Sequence, residues 1–305
     1  MTQGSTLTDP EPLGSLAPLS DPALTVVVGS NGAEGSVEAC LLALEPQRDG
    51  AEILVCEPAP SSPATRGRFQ WAHFVVQPGA GVPLLWKEGI DLSSAPLVAL
   101  TISPMIPAPD WVEKLRARLE RYGAVAGAVD PGPGLRVADW AEYLCRYAKD
   151  MRPFEAHETL DLPGDNSGYR RHLLERHRDL YRDGFWEPVV NRRLAEDGVE
   201  LWHLPDLVVS QGRSAGVRAF VSQRLAHGRA HGRQRGARFG VARNVVGVLG
   251  AVLVPFLLTA RILRDVARRG RARLRAVIAV PLILVFNAAW ALGEARGHLD
   301  ALRRQ

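Results

Sequence analysis

The side chains able to do acid–base or binding chemistry are few and scattered along the chain. Glu187, in GFWEPVV, opens a helical run behind two aromatic residues. A carboxylate there serves as a general base if a hydroxyl comes within hydrogen-bond reach, or simply as a helix N-terminal acid favoured by the macrodipole. Asp165 and Asn166 stand in the Gly-rich stretch LPGDNSGYRR, and Glu57 follows the apolar run EILVC. Glu57 is either an exposed strand-end acid or an acceptor for N–H and hydroxyl groups. His227 and His231 have the i, i+4 spacing of two metal ligands on one helical face. With no third ligand beside them they read as two solvated histidines. Cys40, Cys56 and Cys145 are odd in number and widely spaced, which fits small buried thiols and neither a disulfide framework nor a CxxC site.

These residues need a frame. The run 24–28 is short, apolar and β-branched and ends in Gly29, Ser30, Asn31 and Gly32, the pattern of a buried parallel strand opening into a turn. A helix through Val37 to Leu44 follows, and a second strand at 52–56 stops at Glu57 and Pro58. Strand, helix, strand predicts a βαβ unit and hence an α/β domain with a parallel sheet. Further strands are expected at 74–77, 96–101, 124–129 and 201–204. Helices are expected at 110–122, where Trp111, Leu115 and Leu119 share a face, within 139–160, at 173–180 and at 187–196. The stretch LPGDNSGYRR is expected to be a loop.

The domain so outlined occupies 24–212. Residues 1–23 are rich in Pro, Gly, Ser and Leu, lack the basic start and apolar stretch of a signal peptide, and read as a flexible leader, so the domain is expected in the cytoplasm. The net charge of +4 comes mostly from arginine, since Lys87, Lys114 and Lys149 are the only lysines among 37 basic residues. The arginines crowd into the last third, where anionic lipid is the expected partner. No zinc-finger spacing or aromatic RNA-binding signature accompanies them, which argues against nucleic acid. Residues 213–243 read as a basic amphipathic linker. Two apolar stretches follow at 244–260 and 276–292, and 293–305 is a tail. As helices each stretch covers roughly 26 Å against a hydrocarbon core of about 30 Å. The connection 261–275 carries seven arginines and one acid, Asp265. A spanning hairpin would put those arginines outside, against the positive-inside rule. A re-entrant or monotopic arrangement, with Pro255 and Pro281 bending the two helices, keeps them on the cytoplasmic face. Both arrangements stay open.

In order, the segments ALTVVVGSNG, EILVCEP, WVEKL, LPGDNSGYRR and GFWEPVVNRRLAEDGVELWHLPDLVV resemble those of the family 2 glycosyltransferases, over residues 24–212. The resemblance implies the GT-A fold, a mixed sheet flanked by helices. It implies a nucleotide-sugar donor at the C-terminal rim of the first strands, where open parallel sheets bind ligands, on Gly29, Ser30, Asn31 and Glu57. It also implies Glu187 as the catalytic base facing the acceptor and Asp165 and Asn166 as sugar contacts. Trp186 would stack on a sugar ring, although Trp is equally a core anchor.

The chain departs from the family at the metal. Where an acidic DxD triplet is usual, it has Thr101, Ile102, Ser103 and Pro104, followed by MIPAPDW. Asp110 in that stretch reads as a helix N-cap. Gln211, in VVSQGR, stands near the position of a late metal-binding histidine. Mg²⁺ or Mn²⁺ would lack its usual hard oxygen ligands. Lys87, Arg170 and Arg171 are then the candidate cations for the diphosphate, each equally readable as an exposed helix-end charge. The QxxRW motif of processive synthases is matched at Gln223 without its Arg-Trp half, which implies transfer of single sugars.

The expected function is inverting transfer of a sugar from a nucleotide donor to a lipid-linked or cell-envelope glycan acceptor. The expected place is the cytoplasmic face of a bacterial membrane. The lost acids also leave open a catalytically silent relative acting as a membrane scaffold or regulatory protein.

Overall fold

A computed structural model describes residues 22–30, 35–212 and 216–303. Residues 1–21 of the expected leader, and Asn31, lie outside them. Strand β1 (Leu24–Gly29) is buried along its whole length, as befits a central strand of a sheet covered on both faces. Helix α1 (Ser36–Leu44) connects it to β2 (Ala51–Glu57), its parallel neighbour. Helix α2 (Pro63–Arg68) leads to β3 (His73–Val76), parallel to β2. Helix α3 (Val82–Leu92) leads to β4 (Leu97–Ile102), parallel to β1 on its other side. The short β5 (Met105–Pro107) and helix α4 (Trp111–Arg121) precede β6 (Ala124–Pro131) and helix α5 (Val137–Tyr147). The two-residue β7 (His157–Glu158), then β8 (Asn166–Arg170), helix α6 (Arg171–Glu175), helix α7 (Glu187–Glu196) and β9 (Leu201–Gln211) complete one sheet. Its order is β3-β2-β1-β4-β8-β6-β9-β5, with β7 paired to β9.

Four expectations change here. The Gly-rich stretch is not all loop: 166–170 form β8, antiparallel to both β4 and β6. Tertiary pairing on both sides overrides its poor strand propensity, and Gly168 lets Leu115 and Leu119 of α4 approach closely. Strand β9 extends well past 204 because a register shift opposite Gly127 and Ala128 absorbs Pro205 and lets pairing with β6 resume at Val208. The helix expected at 173–180 breaks into α6 and a single 3₁₀ turn, Arg178–Tyr181. Asp110 makes no cap bond at the start of α4; its carboxylate pairs instead with Lys114 at 2.7 Å.

Residues expected as a basic linker form a 20-residue helix, α8 (Val217–Gly236). Its inward face is made of glycine. Gly228, Gly232 and Gly236 recur every four residues, one turn apart on a single stripe, and lie against α11 (Arg273–Leu302), which presents Gly293, Gly297 and Ala301. A Cβ on Gly232 would fall 2.2 Å from the Glu294 carbonyl oxygen, and one on Gly293 would fall 2.3 Å from that of Leu225. Only hydrogen fits at such a backbone-to-backbone approach. Between them, α9 (Val241–Gly250) and α10 (Val254–Arg269) meet at a 67° bend. Pro255 does not bend a helix but starts one, in the first turn of α10. Helix α11 runs uninterrupted through Pro281 and takes up the expected tail as far as Leu302.

The C-terminal helices fold back onto the α/β domain. At the α10–α11 turn Arg269 donates to the Pro153 and Lys149 carbonyls at 2.9 and 2.5 Å, and Arg271 donates to the Arg152 carbonyl at 3.2 Å. These two arginines of the 261–275 connection therefore face protein. Further along α11, Asn287 accepts from Arg224 of α8 at 3.1 Å and donates to Thr259 of α10 at 3.1 Å. The Arg224 guanidinium lies over the Trp290 ring, 4.4 Å from its centroid.

Gly232→Ala should therefore lower stability by about 1–3 kcal/mol through overpacking. Gly250→Ala, whose Cβ meets nothing within 4 Å, should leave stability unchanged or raise it by up to about 1 kcal/mol. Denaturant titration of the two variants checks this; equal costs would remove the close helix contact from the account.

Candidate active site

A cleft of about 1520 Å³ lies against the C-terminal rim of the sheet. Its floor includes Ser30, just past β1, and Pro58, just past β2. One wall is the start of α3 with Trp86. The other carries Asp165 before β8, Arg146 near the end of α5, Trp186 and Glu187 at the start of α7, and Arg192 in its second turn. The roof is α8, from Gln223 to Arg235, together with Arg238, Phe239 and Trp290 of α11.

At the centre are two carboxylates with different partners. Asp165 is buried and accepts from Arg146 at 2.9 Å and from the Tyr147 hydroxyl. Glu187 is half-buried, and its carboxylate packs on Gly164: a Cβ there would fall 2.2 Å from Glu187 Oε1. Burial pushes the Glu187 carboxyl up to about 7, with the Asp165 charge adding to the rise, while its own and Gly164's backbone N–H groups and Arg146 oppose it. Pro188 starts the helix and fixes Glu187 in its first turn.

The positions where the family resemblance places its acidic triplet carry hydroxyls that bond within the protein. Thr101 Oγ1 donates to the Asp165 carbonyl at 3.0 Å, and Ser36 donates to Ser103 at 2.9 Å. Gln211 is buried on β9. Among the described residues no three His, Cys, Asp or Glu side chains gather as metal ligands. A divalent ion that needs several hard, preferably charged, oxygen donors does not fit this set.

Of the residues nominated from the sequence, Ser30, Asp165, Trp186 and Glu187 line the cleft. Gly29 lies beside it, packed on Trp86. Five others are committed elsewhere. Buried Glu57 accepts from the Ser61 hydroxyl at 2.5 Å and is paired with Arg66, so it lacks a free edge for a base or ribose. Asn166 is saturated by Trp111 Nε1 at 2.8 Å and the Ala128 and Leu207 carbonyls at 2.9 and 3.1 Å; it buttresses the sheet. Arg170 caps the end of α4 through the Leu119 and Glu120 carbonyls at 2.7 and 2.6 Å. Lys87 points to Asp91, 2.8 Å away on its own helix, and Arg171 to the Ser94 carbonyl and Glu175. None of these cations reaches the cleft.

The cleft's positive charge comes from residues not nominated: Arg146, Arg192, Arg193, Arg233, Arg235 and Arg238. The last three belong to 213–243, whose arginine density was visible, and the glycine spacing at 228, 232 and 236 marks which face of α8 turns inward. His227 and His231 belong to this roof, edge-on to Trp186 at 6.2 Å and tilted over Trp290 at 5.5 Å. Burial pushes Cys40, Cys56 and Cys145 up to about 12, as inert thiols require.

A mannosyltransferase from Pyrobaculum calidifontis, solved in complex with GDP-mannose and Mn²⁺, shares this fold with a TM-score of 0.51. Identity is 18%, over 96% of this chain and 90% of that one. The chain has a glycosyltransferase fold. No family model and no curated protein matches the sequence.

Because Glu187 ionises near 7 when folded and at an ordinary carboxylate value near 4.5 when unfolded, its contribution to stability is full below about 4.5 and is lost as pH rises through about 7. Buried Asp150, also pushed up to about 7 mainly by burial, adds a decline of the same sign. Glu187→Gln should flatten part of that loss and Asp150→Asn the rest, as read from melting temperatures across this range; an unaltered slope in Glu187→Gln would show that this carboxyl ionises normally.

Proposed function

We propose that the protein transfers a single sugar from a nucleotide-diphosphosugar to a hydroxyl of a lipid-linked or envelope glycan acceptor, with inversion. The observation that carries this reading is Glu187, a half-buried carboxylate whose proton affinity is poised near neutrality, in a cleft at the strand rim. The cleft exceeds the roughly 300–1000 Å³ of a typical single-ligand pocket, leaving space for donor and acceptor together. The Pyrobaculum neighbour binds GDP-mannose, and a donor of that class suits the same rim here.

In the reaction the acceptor oxygen attacks the anomeric carbon and forms the new glycosidic bond. The bond from that carbon to the diphosphate oxygen breaks, and its electron pair leaves with the phosphate. The hydroxyl proton passes to Glu187. One in-line displacement inverts the anomeric centre. Trp186, 38% exposed, offers a ring face to the sugar.

Attachment to a membrane belongs to the same proposal. The bend between α9 and α10 presents Leu249, Val252, Leu253, Phe256 and Leu257, all more than 60% exposed. Exposed Arg261, Arg264 and Arg268 flank that apolar knuckle. Because the α10–α11 turn is bonded to the domain and part of α11 packs on α5, the monotopic arrangement fits better than a spanning hairpin. Arginines beside an apolar face suit the anionic cytoplasmic leaflet.

A silent scaffold is favoured only by the missing acids at 101–104, and turnover decides between the readings. Glu187→Gln should lower kcat by about 10²–10⁴-fold with KM little changed. Gly164→Ala, by displacing that carboxylate, should cost up to about 10²-fold without a matching loss of stability. Donor-consumption assays on membranes carrying lipid-linked acceptors test this; full activity in both variants would remove Glu187 from the chemistry. Leu253→Glu combined with Phe256→Glu should release the chain from anionic vesicles in flotation at unchanged melting temperature, whereas undiminished flotation would place the membrane contact elsewhere.

A further inference from the structure

Departure of a diphosphate concentrates negative charge at the cleft floor, and something must be positioned in advance to meet it. The family resemblance places an acidic triplet at 101–104, where this chain has Thr101 and Ser103, whose hydroxyls are used within the protein. Across the cleft the balance is the reverse: six arginines line it against three carboxylates, Asp165, Glu187 and Glu196. Arg146 is taken by Asp165, Arg235 by Glu294 at 3.2 Å, and Arg193 by Asp197 at 3.3 Å. Arg192, Arg233 and Arg238 make no ion pair among the described residues. Arg192 projects from α7, one turn beyond Glu187. Arg233 and Arg238 come from the last turn of α8 and the segment after it, beside Gly232 and Gly236, where the helix is locked against α11.

We propose that Arg192, Arg233 and Arg238 form a diphosphate-binding site that takes the place of the divalent metal. The inference rests on the transferase reading of the cleft and adds to it how the leaving group is held. Guanidinium groups donate paired N–H bonds to phosphate oxygens and stay charged at any working pH. Two of the three belong to the α8 roof, so the diphosphate is gripped between the α/β domain and the C-terminal helices. The roof is a binding element as well as a cover.

The test is calorimetric titration of the full-length chain with GDP, UDP and dTDP and the matching monophosphates, in chelator and in Mn²⁺. The expected result is binding of one nucleoside diphosphate that persists in chelator. Arg192→Ala and Arg238→Ala should each weaken it by about tenfold, the loss of one charge-assisted contact. The corresponding monophosphate should lose less, and Arg192→Lys should recover part of the affinity. Equal melting temperatures for all variants exclude misfolding as the cause. Binding that requires Mn²⁺, or that ignores the arginine variants, overturns this site while leaving the transferase reading standing. Absence of nucleotide binding under every condition overturns both.

Discussion

The approach of α8 to α11 governs more of this molecule than any single side chain. Two helices can bring their backbones this close only where both present hydrogen in place of Cβ, and here the glycines alternate, 228 and 232 on one helix meeting 293 and 297 on the other. With ordinary residues at the contact the axes would separate by the depth of a side chain. Helix α8 would then lift from the strand rim, carrying Gln223, His227 and the basic residues with it. The cleft would become an open ledge, and its charges would lie in water, where a guanidinium interacts far more weakly with an anion. The Arg224 stack on Trp290 and the Asn287 bonds to Arg224 and Thr259 fix the same helices in rotation.

Inside the cleft, two neighbouring carboxylates are set to different tasks by their surroundings. Asp165 has a guanidinium and a phenol donating to it and lies at the end of an element pinned by Thr101. Glu187 has no such partner. It rests on a glycine and is desolvated with Asp165 nearby. Burial is the main reason Glu187 favours its proton, and the like charge of Asp165 adds to it. Glu187 opens towards the cleft through the first turn of its helix.

Most of the α/β core was legible because its signals are local. Buried β-branched runs gave β1, β2, β4 and β6, and the periodicity of Trp111, Leu115 and Leu119 gave α4. Strand β8 was not legible, since Asn-Ser-Gly carries no strand preference and owes its conformation to β4 and β6. The carboxylates 165 and 187 were found from motif position, but side-chain commitment was not. Glu57, Asn166 and Arg170 have the right chemistry and spend it on Ser61, Trp111 and the end of α4, partners 4 to 55 residues away in sequence. In the C-terminal third the two apolar stretches were legible as helical, whereas the packing of 213–243 was not, for a different reason. Arginine-rich and glycine-rich composition suggests a linker, whereas glycines four residues apart make a helix face, and composition alone does not carry that periodicity.

The same spacing ties the proposed arginine site to this particular C-terminal unit. Arginines on long side chains need a second surface to project from, one held at a fixed distance from the phosphates so that little ordering remains when the ligand arrives. Helix α8 supplies that surface, and its distance is set by hydrogen atoms on glycine. Helix α11, which fixes it, also carries the layer whose apolar knuckle is proposed to meet the membrane. In the proposed site, the hydroxyls at 101 and 103 and the glycine-locked helix over the cleft are two halves of one arrangement, in which charge stabilisation comes from α7 and the helices that cover the sheet.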